Sequence, residues 1–211
     1  LKNINIKINK NQIVGIIGPS GSGKSTIINM ICGFTKPNKG GVFVDNTSIF
    51  ENYDSWKKNI GFIPQNIVIL NDTIRENILF GSKNNQLTDR KLIEIIKKVN
   101  LYNFYKKQKK GLNAIIKEEG LNISGGEIQR IGIARALIDN PELIICDEAT
   151  SALDTFTENQ ILKEIKSLNK TTIIVSHRMN TLRYCNQIYG IKKGQVKKYG
   201  NYVQLNKKFK F

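Results

Sequence analysis

The stretch Gly18-Pro19-Ser20-Gly21-Ser22-Gly23-Lys24-Ser25-Thr26 carries residue types at a spacing that can do chemistry. Its glycines let the backbone turn tightly and aim successive N–H groups at one point. A helix following at once adds the positive end of its dipole there. Lys24 can bring a mobile cation to the β- and γ-phosphates of a nucleotide, and Ser25 a hydroxyl to Mg²⁺. The pattern G-x-x-x-x-G-K-S is that of a phosphate-binding loop.

Such a loop needs a metal holder and a base. Asp147 and Glu148 stand together at the end of the apolar run Leu143-Ile144-Ile145-Cys146. Asp147 suits the acidic component that fixes Mg²⁺ directly or through water, and Glu148 is a candidate general base for an attacking water. Burial at a strand end can raise a carboxylate's pKa toward that task. Gln65 follows a third apolar run, Ile60-Gly61-Phe62-Ile63, after Pro64, and His177 follows a fourth, Thr171 to Val175. His177, the single histidine, reads on its own as an ordinary core or loop residue. In this company it reads as part of the site.

The elements that must position these residues are legible from periodicity. Ile13-Val14-Gly15-Ile16-Ile17 predicts a buried parallel strand before the loop. Thr26 to Phe34 predicts the helix after it, with Ile27, Ile31 and Phe34 on one face. Further strands are expected at Asn3 to Asn9, where Ile4, Ile6 and Ile8 alternate with polar residues, and at Gly41 to Asp45. Ile188 to Ile191 and Gln195 to Tyr199 flank Lys192-Lys193-Gly194, a hairpin signal. Helices are expected from Asp72 or Thr73 through Phe80, over Thr88 to Val99 and Leu101 to Lys107, from Ser124 to about Asp139, and over Thr157 to Leu168. Alternating apolar strands and helices imply an α/β fold, a mainly parallel sheet covered on both faces, with ligands at the carboxyl ends of the strands. The loop, Gln65, Asp147-Glu148 and His177 all fall at such ends.

The chain has 211 residues, room for one sizeable α/β core with a small insert. It is 40% hydrophobic and 24% charged, as globular proteins are. No apolar run approaches the ~20 residues of a membrane span. The opening Leu1-Lys2-Asn3-Ile4 is neither a signal peptide nor an initiator Met, so the chain reads as a piece of something longer. Net charge is +16, but the lysines are scattered; the one run, Lys106-Lys107-Gln108-Lys109-Lys110, reads as a solvated face. Cys32, Cys146 and Cys185 fit neither a disulfide framework nor a metal site, which points to a reducing compartment.

Ile123-Ser124-Gly125-Gly126-Glu127-Ile128-Gln129-Arg130 resembles the signature motif of ATP-binding-cassette (ABC) ATPases. Asp147-Glu148-Ala149-Thr150-Ser151-Ala152-Leu153-Asp154 resembles their Walker B motif and D-loop, Gln65 their Q-loop, and His177 their switch histidine. The order and spacing match over essentially the whole chain. Asp72-Thr73-Ile74-Arg75-Glu76-Asn77-Ile78 and Glu118-Glu119-Gly120 resemble segments of the exporter type.

The resemblance implies a P-loop NTPase core with an N-terminal antiparallel β-subdomain and an inserted helical subdomain. Core and β-subdomain would span about 1–65 and 140–211, and the helical subdomain about 66–139, with a transmembrane domain upstream. It implies ATP hydrolysis coupled to export, at the cytoplasmic face of the cell (inner) membrane. Ser25, Gln65 and Asp147 would hold Mg²⁺, Glu148 would polarise water and His177 would position it. Ser124, Gly125, Gly126, Glu127 and Asp154 would act on ATP bound to a second nucleotide-binding domain paired head to tail. A soluble ABC ATPase acting on nucleic acid or the ribosome is the alternative, although the coiled-coil insert or second cassette usual there is missing; nucleic acid is not the expected partner. Glu127 stands where the family has Gln, Ile123 where it has Leu, Cys146 where it has an aliphatic residue and Asn186 where it has Asp. The adenine-stacking aromatic would lie upstream of Leu1. Ile67-Val68-Ile69-Leu70 reads either as a plug under the helical subdomain or as a contact for cytoplasmic helices of a membrane domain.

Overall fold

The computed structural model describes residues 1–82, 87–116 and 123–206. In chain order the elements are β1 (Ile13–Ile17), α1 (Lys24–Ile31), β2 (Phe43–Val44), β3 (Thr47–Ser48), α2 (Tyr53–Lys58) and β4 (Ile60–Ile63). There follow β5 (Asp72–Thr73), α3 (Ile74–Leu79), α4 (Asp89–Lys98), α5 (Tyr102–Lys106) and β6 (Ile115–Ile116). The chain continues through α6 (Gly125–Leu137), β7 (Leu143–Asp147), α7 (Thr155–Ser167), β8 (Thr171–Ser176), β9 (Gln187–Lys192), β10 (Gln195–Gly200) and α8 (Tyr202–Asn206).

Six strands form one sheet in the order β10-β9-β1-β8-β7-β4. Neighbours pair in parallel except β10, which returns antiparallel to β9 through the expected hairpin. The central strands are apolar on both faces because helices cover both. Ile13 and Ile17 of β1 join Ile63, Ile144, Cys146 and Ile174 in a core that α3, α4, α6 and α7 complete. Val14 and Ile16 join Ile145, Ile173, Val175 and Ile191 on the other face, with Ile27 and Ile28 of α1. β4 lies so close to α6 that a Cβ on Gly61 would sit 2.4 Å from the Ala136 carbonyl oxygen.

Helices α2, α3, α6 and α7 begin where a side chain satisfies one or more of their first N–H groups. Thr73 accepts from the Glu76 N–H, and Asp154 from those of Phe156 and Thr157. Asp154 thus starts α7 two residues before the periodicity suggests. One buried polar cluster locks α6 to the segment after Gln65. Asn77, fully buried, accepts from the Leu70 N–H and donates to the carbonyls of Leu70, Asp72 and Thr73. Arg135 of α6 donates to the carbonyls of Asn77, at 2.6 Å, and Val68, at 2.7 Å.

Some expectations are corrected. Asn3 to Asn9 is not a strand. Its alternation survives, since Ile4, Ile6 and Ile8 pack half-buried against the second core. Its backbone, however, bonds a side chain rather than a ladder: the Lys7 N–H donates to the Tyr189 hydroxyl, which donates to the Lys7 carbonyl. Strand character in Gly41 to Asp45 is confined to Phe43–Val44, exposed residues paired with β3 across a turn where Asp45 and Asn46 have positive φ. The first helix starts at Lys24 and ends at Ile31, leaving Phe34 beyond it and 68% exposed. Ile67-Val68-Ile69-Leu70 divides: Ile69 is buried and Ile67 packs on the core, while Val68 faces solvent at 60% exposure. Glu118-Glu119-Gly120 lies outside the described residues.

Candidate active site

Four parallel strands, β1, β8, β7 and β4, are adjacent in the sheet and end on one edge. Each hands over to one of the residues singled out by the sequence. β1 leads to the Gly18–Thr26 loop, β8 to His177, β7 to Asp147 and Glu148, and β4 to Gln65. Together they line a cleft of about 600 Å³, bounded by Ser20, Lys24, Ser25, Gln65, Asp147, Glu148 and His177 among others.

The loop is shaped for close approach to a ligand. Gly23, at φ 107°, caps α1 in a conformation that L side chains rarely adopt. A Cβ on Gly18 would sit 2.3 Å from the Ile191 carbonyl oxygen, so the loop rests directly on β9. Lys24 is 7% exposed, and its ammonium donates to the carbonyls of Gly18, at 2.9 Å, and Pro19, at 3.1 Å. Nearby the buried Ser22 hydroxyl oxygen has no partner among the described residues. A buried orphan hydroxyl is costly unless something polar meets it. That orphan and a nearly buried ammonium fit a phosphate group.

Charge is concentrated opposite the loop. Glu148 lies between two cations or potential cations: Lys24 Nζ is 3.9 Å from one carboxylate oxygen and His177 Nδ1 3.6 Å from the other. Its backbone is itself unusual, at φ 49° for a residue with a Cβ, and its N–H donates to the Val175 carbonyl. Asp147 is pushed above the usual carboxylate range by burial and by the Glu148 charge, with Lys24 opposing. The Gln65 amide nitrogen donates to the Ser151 hydroxyl at 3.3 Å. Ser25, Gln65 and Asp147 offer one carboxylate, one hydroxyl and one amide. That sparse set fits Mg²⁺, which keeps waters and phosphate oxygens for most of its positions. Among the described residues no cluster of three or more His, Cys, Asp or Glu is arranged to hold a metal on its own.

The signature residues are not part of this cleft. Ser124 and Glu127 line another, of about 760 Å³, with Lys97, Tyr102, Arg130 and Glu164. Ser124 caps α6 in a reciprocal box: the Glu127 N–H donates to the Ser124 hydroxyl oxygen, and the Ser124 N–H and hydroxyl donate to the Glu127 carboxylate at 2.8 and 2.7 Å. Glu127 therefore serves its own helix end. Gly125 and Gly126 open the same helix, so backbone N–H groups point outward from its start. Asp154 is held below the usual carboxylate range, chiefly by a hydrogen bond from the Thr157 side chain. Asn186 has a structural task of its own, accepting from the Ile13 N–H at 2.8 Å.

Residues around the site that the sequence reading passed over include Glu158, Arg178 and Ser151. Arg178 donates to the Ser151 carbonyl and reaches Glu158, which is buried. A signal for Glu158 was present. It falls in register with Ile161, Leu162 and Ile165 on the buried stripe of α7, an acid where an aliphatic side chain is expected.

The family model described as ABC transporter matches residues 1–151. A Rickettsia typhi protein named as an export ATP-binding/permease protein is 40% identical over 210 residues, 98% of this chain and 36% of the relative. The leukotoxin export ATP-binding protein LtxB of Aggregatibacter actinomycetemcomitans is 37% identical over 210 residues, 98% of this chain and 29% of that protein. Among solved structures, a bacterial Atm1-family ABC exporter with ATP bound superposes with a TM-score of 0.83 at 33% identity, covering 95% of this chain and 36% of the other. The chain thus spans roughly a third of the length of the relatives it matches. Among the described residues no helix is long and apolar enough to cross a membrane.

Proposed function

The chain belongs to the ABC transporter family, and from that premise we propose that it binds ATP with Mg²⁺ and hydrolyses it to ADP and phosphate, driving export across a membrane. The observation that carries this reading is the position of Glu148, with Lys24 on one side and His177 on the other, in the cleft that the phosphate loop closes. The Gly18–Thr26 amides and Lys24 hold the phosphates. Ser25, Gln65 and Asp147 would hold Mg²⁺, which when bound would supply charge neutralisation at the phosphates. Glu148 accepts a hydrogen bond from the attacking water and draws off its proton. His177 orients Glu148 and that water.

Ser124, Gly125, Gly126, Glu127 and Asp154 serve ATP held by a second nucleotide-binding domain, paired head to tail. The cleft contains none of them, which supports an action between chains. Residues 66–139 serve as the helical subdomain and a transmembrane domain as the partner it drives, with the chain at the cytoplasmic face of the cell (inner) membrane.

The test is Glu148→Gln, scored by phosphate release and by size-exclusion chromatography with ATP. The expected result is turnover lowered by about 100-fold or more, with an ATP-dependent dimer that persists. Unchanged turnover would sink the role given to Glu148 and the reading built on it.

A further inference from the structure

Glu158 is 6% exposed, on the buried face of α7, and a carboxylate there must be satisfied by its partners. Three come from two separate loops. One oxygen accepts from the Thr150 hydroxyl at 2.9 Å and from the Thr181 hydroxyl at 2.8 Å. The other lies 3.8 Å from the Arg178 guanidinium. Thr150 is two residues beyond Glu148, and Arg178 follows His177 directly. Arg178 extends the tie by donating to the Ser151 carbonyl at 3.0 Å. Ser151 in turn accepts from Gln65. The loop holding His177 is tightened locally as well, because the Arg178 N–H donates to the Ser176 hydroxyl oxygen at 2.9 Å.

A structural acid on a helix could satisfy itself with one arginine. This one binds the loop after β7 and the loop after β8 to a single point on α7. Those loops carry the two groups, Glu148 and His177, that stand 3.6 Å apart. Glu148 sits in a backbone conformation that its surroundings must enforce, at φ 49°.

We propose that Glu158 is a positioning residue for hydrolysis: it fixes the distance between Glu148 and His177 by clamping both their loops to α7, without itself meeting nucleotide or water. This rests on the ATPase reading given above. The phosphate loop and Lys24 lie outside the clamp, so Glu158 governs the hydrolytic step and leaves nucleotide binding alone.

The experiment compares wild type, Glu158→Ala, Glu158→Gln, the pair Thr150→Val with Thr181→Val, and that pair combined with Glu158→Ala. It measures kcat for phosphate release, the dissociation constant of a fluorescent ATP analogue, and Tm. Glu158→Ala is expected to lower kcat about 10-fold or more while the dissociation constant stays within about 2-fold. Glu158→Gln keeps an oxygen for both hydroxyls and is expected to recover to within about 3-fold of wild type. Adding the two valines to Glu158→Ala is expected to cost nothing more, because the clamp is already open.

A kcat equal to wild type in Glu158→Ala overturns the proposal, as does a loss of kcat and affinity together in the folded variants. Should Glu158→Ala not fold, the valine pair decides by the same split: kcat lowered with affinity kept supports the proposal, and kcat equal to wild type overturns it. Absence of turnover in wild type, or turnover untouched by Glu148→Gln, overturns the ATPase reading itself. A normal Glu158→Ala beside an inactive Glu148→Gln overturns this inference alone.

Discussion

Asp147 is the residue whose site opposes its ordinary chemistry. Burial and the neighbouring Glu148 raise its pKa above the value it has in an unfolded chain. The folded state therefore holds the proton more tightly than the unfolded state does. Its contribution to stability is full below the unfolded carboxyl value, near ~4, and is lost as pH rises through the raised folded value. Above that raised value the ionised form is thus a liability to the fold. Asp147→Asn is expected to raise Tm at pH 7 and to lose that advantage as the pH is lowered, while abolishing Mg²⁺-dependent turnover. Calorimetry across pH, beside a phosphate-release assay, checks both arms; a lowered Tm at pH 7 would contradict the electrostatic account. Residues of this kind were legible in the sequence because each falls within two residues of the end of an apolar run. Gln65, Asp147, Glu148 and His177 all do. The tie made by Glu158 was not legible, because its partners Thr150, Arg178 and Thr181 are separated from it along the chain and their meeting is a product of the fold.

Elements were legible where periodicity and a cap agreed. β4 occupies the expected Ile60–Ile63, and α4 lies between Thr88 and Val99 as its apolar spacing requires. Asn3 to Asn9 misled because alternating isoleucines report which side faces a core, and carry no information on whether a neighbouring strand is in reach. Three changes probe the elements that carry these residues. Gly61→Ala would press a methyl group into the Ala136 carbonyl, a backbone atom that cannot swing aside. It is expected to destabilise by about 1–3 kcal/mol, read as a lower denaturation midpoint, with β4 and α6 forced apart. Ser124→Ala removes one half of the box at the start of α6. It is expected to cost about 1 kcal/mol of stability, and Glu127→Gln much less, since an amide can still accept from the Ser124 N–H.

At the scale of the whole molecule, the cysteines are sealed into the fold. Burial pushes the Cys32 thiol up to about 11 and the Cys146 thiol up to about 12, and raises Cys185 as well. Native protein at pH 8 is therefore expected to leave all its thiols unreactive toward a disulfide reagent, and to release them on denaturation; fast labelling of the native state would show that the core opens. The two-faced sheet and its single ligand edge followed from sequence alone, because apolar runs alternating with helices leave few other arrangements. What sequence could not supply is how the parts are bolted together. Arg135 and Asn77 are that bolt, joining α6 to residues 68–77. The other end of α6 carries Ser124, and its 13 residues make a rod about 20 Å long. The bolt and the Ser124 cap thus sit near opposite ends of one stiff lever, so the segment holding Val68 and the start of α6 share a single arm.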